Sequence, residues 1–206
     1  MGSLKAMHFI MLLLLMGIPF DAISRQDGMG IAKTSNLDLV IPQDSLSLVD
    51  RDKIHSFIKQ IHPSALAVSN FILVDKPFAF EYFGCLDPFL DDSAFYTKAE
   101  LDFIMKSIKT SSIKWSNGLL GSVNVISKDT IDAIFKDKSK GWNYFYKHFG
   151  QSYYIFSLPI FLRNDTLCLF YSSTHCGYEC GDGHFKLYEK EYGKWIEVKT
   201  YCNWIS

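Results

Sequence analysis

Apolar and polar residues follow two different rhythms along this chain, and the change falls near Gly150. Before it, most apolar residues recur at helical spacing; after it they alternate. Downstream of Asp50, the residues Ile54, Phe57, Ile58 and Ile61 share one helical face, and Pro63 ends the run, which predicts a short amphipathic helix. Residues 66–74 (LAVSNFILV) are rich in branched and aromatic side chains, and Phe78, Phe80 and Tyr82 alternate in FAFEYF, so two strands are expected around Asp75-Lys76-Pro77. Thr97 and Glu100 have capping-box spacing: hydroxyl and carboxylate can each accept an amide hydrogen of the first turn. The helix they open carries Leu101, Ile104, Met105 and Ile108 on one face. Residues 121–127 (GSVNVIS) read as a strand, and Ser127 can cap a helix that turns Ile131, Ile134 and Phe135 inward. A further helix aligns Trp142, Phe145, Tyr146 and Phe149, and Gly150 stands where a C′ glycine would stop it. That aromatic stripe belongs to a core.

Four strands follow: residues 152–161, 166–173, 184–191 and 194–204. They are separated by Arg163-Asn164-Asp165, by a cysteine-rich loop and by Tyr192-Gly193. A meander is the simplest topology. Gly193 suits the left-handed position of a three- to five-residue hairpin loop, and Pro159, which has no ladder donor, belongs at an edge or a bulge. The expected architecture is α+β, with short helices packed on one face of a C-terminal antiparallel four-strand meander.

The N-terminus sets the expected compartment. Lys5, the apolar run 7–20 (MHFIMLLLLMGIPF) and Ala22-Ile23-Ser24 have the layout of a signal peptide, residues 1–24, with cleavage expected after Ser24 and an uncleaved anchor as the alternative. The run is about 14 residues, short of the ~20 that a spanning helix needs, and no second hydrophobic span follows. Residues 25–36 read as a flexible leader and 37–206 as one domain, exported to the periplasm or the cell surface. The 21 basic and 22 acidic residues leave a net charge of −1, which gives no footprint for a nucleic acid or an anionic membrane surface. Lysines 136, 138 and 140 read as a solvated helix end. With 16% aromatic residues, a packed globular core is expected.

Candidate chemistry concentrates in residues 173–184 (STHCGYECGDGH). Export permits disulfides, and Cys176 and Cys180 can staple the strand connection, with Gly177, Gly181 and Gly183 allowing a left-handed or crowded backbone. A second reading is zinc, the one cofactor considered, held by Cys176, Cys180 and His184 with His175 as a fourth ligand; all four would have to come from one short loop. A third is redox chemistry, although that normally uses C-x-x-C at a helix N-terminus. Cys168 and Cys202 can pair if their strands are neighbours, but in a strict meander they lie two strands apart, beyond disulfide reach, and Cys85 is the natural odd thiol. Cys85 with a distant histidine would make a hydrolase, against the simpler reading of a buried cysteine. Asp87, Asp91 and Asp92 read as a solvated turn, and Asn164-Asp165-Thr166 is a glycosylation sequon placed where a hairpin turn needs Asn and Asp.

The C-terminal half resembles a group of uncharacterised exported bacterial proteins. Their pattern is F-S-x-P-x-F, then C-G-x-x-C-G-x-G, then G-K-W. Here it is carried by Phe156, Ser157, Pro159 and Phe161, by Cys176, Gly177, Cys180, Gly181 and Gly183, and by Gly193, Lys194 and Trp195. The resemblance spans about residues 120–206 and implies a bacterial exported setting but no activity. The expected function is therefore an exported, non-catalytic domain that binds an unknown protein or envelope component, with an exported hydrolase or a zinc-binding module as alternatives.

Overall fold

A computed structural model describes residues 48–67, 71–78, 84–109, 113–121 and 123–206, all within one compact unit, Ile41–Ser206. The expected signal peptide, the leader and most of the FAFEYF stretch lie outside the described residues. The fold is α+β: helices packed on a seven-stranded mixed sheet of order β2-β1-β3-β5-β6-β7, with β4 also paired to β5. No helix among the described residues is long and apolar enough to cross a membrane.

Helix α1 (Leu48–Ile61) is followed by α2 (Pro63–Ala67), with only His62 between them. Pro63 thus ends one helix and opens the next, where its missing N–H costs nothing. Strand β1 shrinks to Ile72–Val74, because residues 66–67 finish α2. The expected aspartate turn is instead a short helix, α3 (Leu86–Asp91), and Asp92 caps its C-terminal end. Helix α4 (Lys98–Lys109) begins with the predicted capping box: Thr97 Oγ1 accepts from the Glu100 N–H at 3.2 Å, and Glu100 Oε2 accepts from the Thr97 N–H at 2.8 Å. Strand β2 (Asn124–Ile126) leads into α5 (Lys128–Lys136), whose cap Ser127 accepts from the Thr130 N–H. Helix α6 (Gly141–His148) ends one residue early, and Gly150 stands at C′ without a left-handed φ.

The sheet is larger than a meander. Strands β1, β2 and β3 (Tyr153–Phe156) run parallel to one another, in the order β2-β1-β3. Antiparallel pairing then takes over through β5 (Leu167–Gly177), β6 (Cys180–Glu191) and β7 (Lys194–Ile205). The stretch expected as one strand over 152–161 is split into β3 and β4 (Ile160–Leu162), both against β5. Register moves from Phe156↔Ser172 to Ile160↔Leu169, so one extra residue is inserted at Ser157-Leu158-Pro159, the bulge anticipated for Pro159. Ser157 is buried there, donates its N–H to Tyr171 O and accepts the Tyr171 N–H on its hydroxyl, so the bulge leaves neither group of Tyr171 unpaired.

Alternating side chains send the core to both faces of the sheet. Leu73, Phe156, Cys168, Phe170 and Tyr188 meet α1, where Phe57 makes edge contacts with Phe161, Phe170, Tyr188 and Trp195 at 5.2–5.7 Å. On the other face, Leu167, Leu169, Tyr171 and Phe185 meet Phe89 of α3 and Ile104 of α4. Farther along that face, Ile72, Val74 and Tyr153 meet Ile131, Ile134, Trp142 and Phe145 of α5 and α6. Helices therefore cover both faces, where one was expected: β5 is buried at every position from Leu167 to Ser173 and needs partners on each side.

Candidate functional site

The β5–β6 hairpin tip holds the chemistry singled out in the sequence. Cys176 and Cys180 form a disulfide with Cα atoms 5.0 Å apart. The tip is also strapped to α6: the Tyr146 hydroxyl donates to Cys176 O at 2.7 Å. Gly177, Gly181 and Gly183 have no left-handed φ; what they share is crowding. A Cβ on Gly183 would run into the Trp204 indole, whose Nε1 donates to the Tyr171 hydroxyl at 2.9 Å. The left-handed glycine is Gly193, at φ 81°, after Tyr192 at φ 48°. With Glu191 paired to Lys194, that turn has two residues rather than three to five, and two positive φ values are what a type I′ turn requires.

The four proposed zinc ligands do not converge. As a disulfide, Cys176 and Cys180 offer no thiolate pair. His175 and His184 point to opposite faces of the sheet. His175 stacks on Tyr153 at 4.8 Å, over α6, whereas His184 Nε2 lies 3.0 Å from Asp182 Oδ2 on the α1 face. Among the described residues no group of His, Cys, Asp or Glu is placed to hold a metal.

Nucleophile chemistry fares no better at the residues considered. Cys85 is bonded to Cys202, with Cα atoms 5.2 Å apart, so the odd thiol is Cys168 instead. Burial pushes the Cys168 thiol well above its ordinary pKa. Cys168 and Cys202 do not pair, since β6 separates their strands; what local pattern could not show is that α3 packs beside the end of β7. Ser173 Oγ lies 3.3 Å from His175 Nε2, but burial lowers the basicity of that ring, and nearby Asp182 engages His184 across the sheet. Trp142 and Trp195 are packing residues, against Tyr153 and Phe57 respectively.

The feature that sequence reading missed is a cleft of about 400 Å³ at the edge of the sheet beside β4. Its walls are mainly apolar, from Phe78, Phe103 and Ile108 of α4, Ile113, Leu158 and Phe161. One end is charged: Lys53 of α1 pairs with Asp165 at 2.8 Å, and Asp50 stands one turn before it. Lys53 also lies over the Phe161 ring, 5.2 Å from its centroid. The size falls within the range of small-ligand sites, and the charged groups are few and gathered at one end, with Ser107 and Ser157 the other polar side chains of the lining. Pro159 was the only signal: a proline inside a strand pattern marks a place where pairing stops.

A comparison of the chain with known protein families, with curated proteins and with solved structures finds no match.

Proposed function

We propose that this chain is an exported binding domain without catalysis of its own, and that its ligand site is the cleft beside β4. The carrying observation is the cleft itself, apolar along its walls and charged at one end. Two disulfides support an oxidising, exported environment. The bond between Cys85 and Cys202 removes the nucleophile on which the hydrolase alternative rested.

The test uses 1-anilinonaphthalene-8-sulfonate as a probe of the folded, oxidised protein. One saturable site per chain is expected, with binding weakened about ten-fold by Phe103→Glu, which places a charge on the rim at a residue that is already half exposed. Absence of saturable binding, or equal binding to the variant, would overturn the cleft as the site.

A further inference from the structure

The two disulfides differ in what can reach them. Cys180 is exposed and Cys176 half-buried, and the turn between them carries Tyr178, 79% exposed, and Glu179, also exposed. Cys85 is instead 1% exposed, in the cluster of Phe89 and Ile104, and Cys202 packs against the same cluster. A thiol exchanges with a disulfide only where it can approach one of the two sulfurs, so access alone separates the bridges.

The tip is also held in place without its bond. Register passes from His175↔Gly181 to Gly177↔Cys180, which makes Cys176 the extra residue of a bulge. Its carbonyl is taken by α6: the Tyr146 hydroxyl donates to it at 2.7 Å. Tyr178 reaches the start of the same helix, where its hydroxyl would stand 3.1 Å from a Cβ on Gly141. The ladder of β5 with β6 and these two points on α6 therefore keep both sulfurs near each other when the bond between them is open. Cys168, the one free cysteine, is wholly buried on the α1 face of β5, so an attacking thiolate has to come from outside the chain. Neither tip sulfur stands at a helix N-terminus, where a reactive thiolate of low pKa is made; both belong to strands, and the pair is a substrate of exchange rather than its driver.

We propose that Cys176–Cys180 is a reversible redox site, opened in the folded protein by a protein dithiol and reclosed by a disulfide oxidant, while Cys85–Cys202 stays intact. This goes beyond the cleft and does not depend on it. A thiolate of the reductant attacks Cys180 Sγ, the more accessible sulfur; the S–S bond breaks, and Cys176 leaves as a thiolate that takes a proton from water. The reductant's second thiolate attacks its own sulfur of the mixed disulfide, Cys180 leaves and is protonated in turn, and the reductant departs as a disulfide. Two electrons and two protons have then passed from the dithiol to the tip. Closing runs the same steps in reverse. Opening unties the bulge residue from the facing strand, so the tip changes and the rest of the sheet does not.

The experiment treats the folded, oxidised full chain with graded dithiothreitol under native conditions, quenches with iodoacetamide and maps the labelled cysteines by mass. Cys176 and Cys180 should label together, at least about a hundred-fold sooner than Cys85 and Cys202, because the buried bridge has to wait for the fold to open. Cys168 should stay unlabelled over that interval, and near-ultraviolet circular dichroism should keep the signal of a packed core. Oxidised glutathione in excess should then restore the tip bond. A thioredoxin-type protein whose second cysteine is replaced by serine should be trapped as a mixed disulfide through Cys180. Equal rates for the two bridges, labelling of Cys168 together with the tip, a tip that does not reclose, or the absence of a complex trapped at Cys180 would overturn the proposal. Failure of the dye to bind the cleft would touch the cleft reading alone.

Discussion

The two disulfides stand at different places in the same sheet and do different work. Cys176–Cys180 closes a separation of 4 residues within one hairpin that its own hydrogen bonds already define. Cys85–Cys202 closes a separation of 117 and ties the start of α3 to the end of the outermost strand, β7. Loop-closure entropy makes the long bridge worth about 5 kcal/mol and the short one about 2 kcal/mol. The same region carries a second tie: the Tyr201 hydroxyl, beside Cys202, donates to Asp92 Oδ2 at 2.9 Å and lies 2.6 Å from the Tyr96 hydroxyl, while Lys199 pairs with Asp92 at 2.8 Å. Lys199 and then Tyr201 hold the Asp92 carboxyl below its ordinary pKa, and burial pushes Tyr201 far upward. The lesson is that the conspicuous bridge shapes a tip, while the one without a local motif holds the fold together.

Measurements can break that contrast. Replacing both Cys85 and Cys202 with Ala should lower unfolding free energy by about 5 kcal/mol in denaturant titration; a loss no larger than that of the tip pair would end the distinction. Trp142→Ala, beneath the stapled tip, should cost about 3–5 kcal/mol because the indole is buried against Phe145 and Tyr153. An unchanged thermal midpoint would show that α6 does not support the tip.

Acid supplies a control that neither bridge should affect. His62 sits on the α1 face, stacked on Phe156 at 5.1 Å, with Nε2 buried and without a hydrogen-bond partner. Its pKa is lowered from 6.5 to about 4, chiefly by burial and then by Lys186, with His184 adding to the effect and Asp182 opposing it. A folded-state value below the unfolded one means that the unfolded chain binds the proton first. Stability is then full above pH 6.5 and falls by about 3 kcal/mol as pH drops to 4. His62→Phe should flatten that part of the profile while keeping the stacking. A wild-type slope in the variant would assign the acid sensitivity elsewhere.

Removing the tip bridge with Cys176→Ser and Cys180→Ser should cost about 2 kcal/mol or less and leave the anilinonaphthalene affinity of the cleft unchanged; a global loss of fold would reverse the ranking. Smallest of all, Gly193→Val should cost about 1–2 kcal/mol, since a β-branched residue resists the φ of 81° there. Equal stability would mean that the turn relaxes to another type.

Where local rules decide, the sequence was readable. The capping box at Thr97, the cap at Ser127, the left-handed Gly193 and the buried stripe of Trp142 and Phe145 all follow from spacing and backbone sterics within a few residues. Long-range partners decided the rest. Strand β1 is three residues long and pairs in parallel with strands some 50 to 80 positions away, so its run looks like any short apolar segment. Asp87 and Asp91 looked like turn residues, but Phe89 between them is fully buried and draws the segment into a helix against the sheet. Both faces of β5 are covered, and an unbroken apolar run such as Leu167 to Tyr171 carries no alternation to reveal that. The cleft escaped for the same reason: it is made by the meeting of α1, α4 and a bulge, none of which is special alone.

Cys168 has a practical consequence. It is one thiol among four oxidised cysteines, fully enclosed beneath α1 between the pairs that carry bonds. While the chain is folded, that sulfur is silent to alkylating reagents; once the sheet opens, it becomes the only nucleophile of its kind. Mass labelling of a single site thus times global opening of the native protein, and a chain that had oxidised the wrong pair would betray itself by the position of its one reactive sulfur.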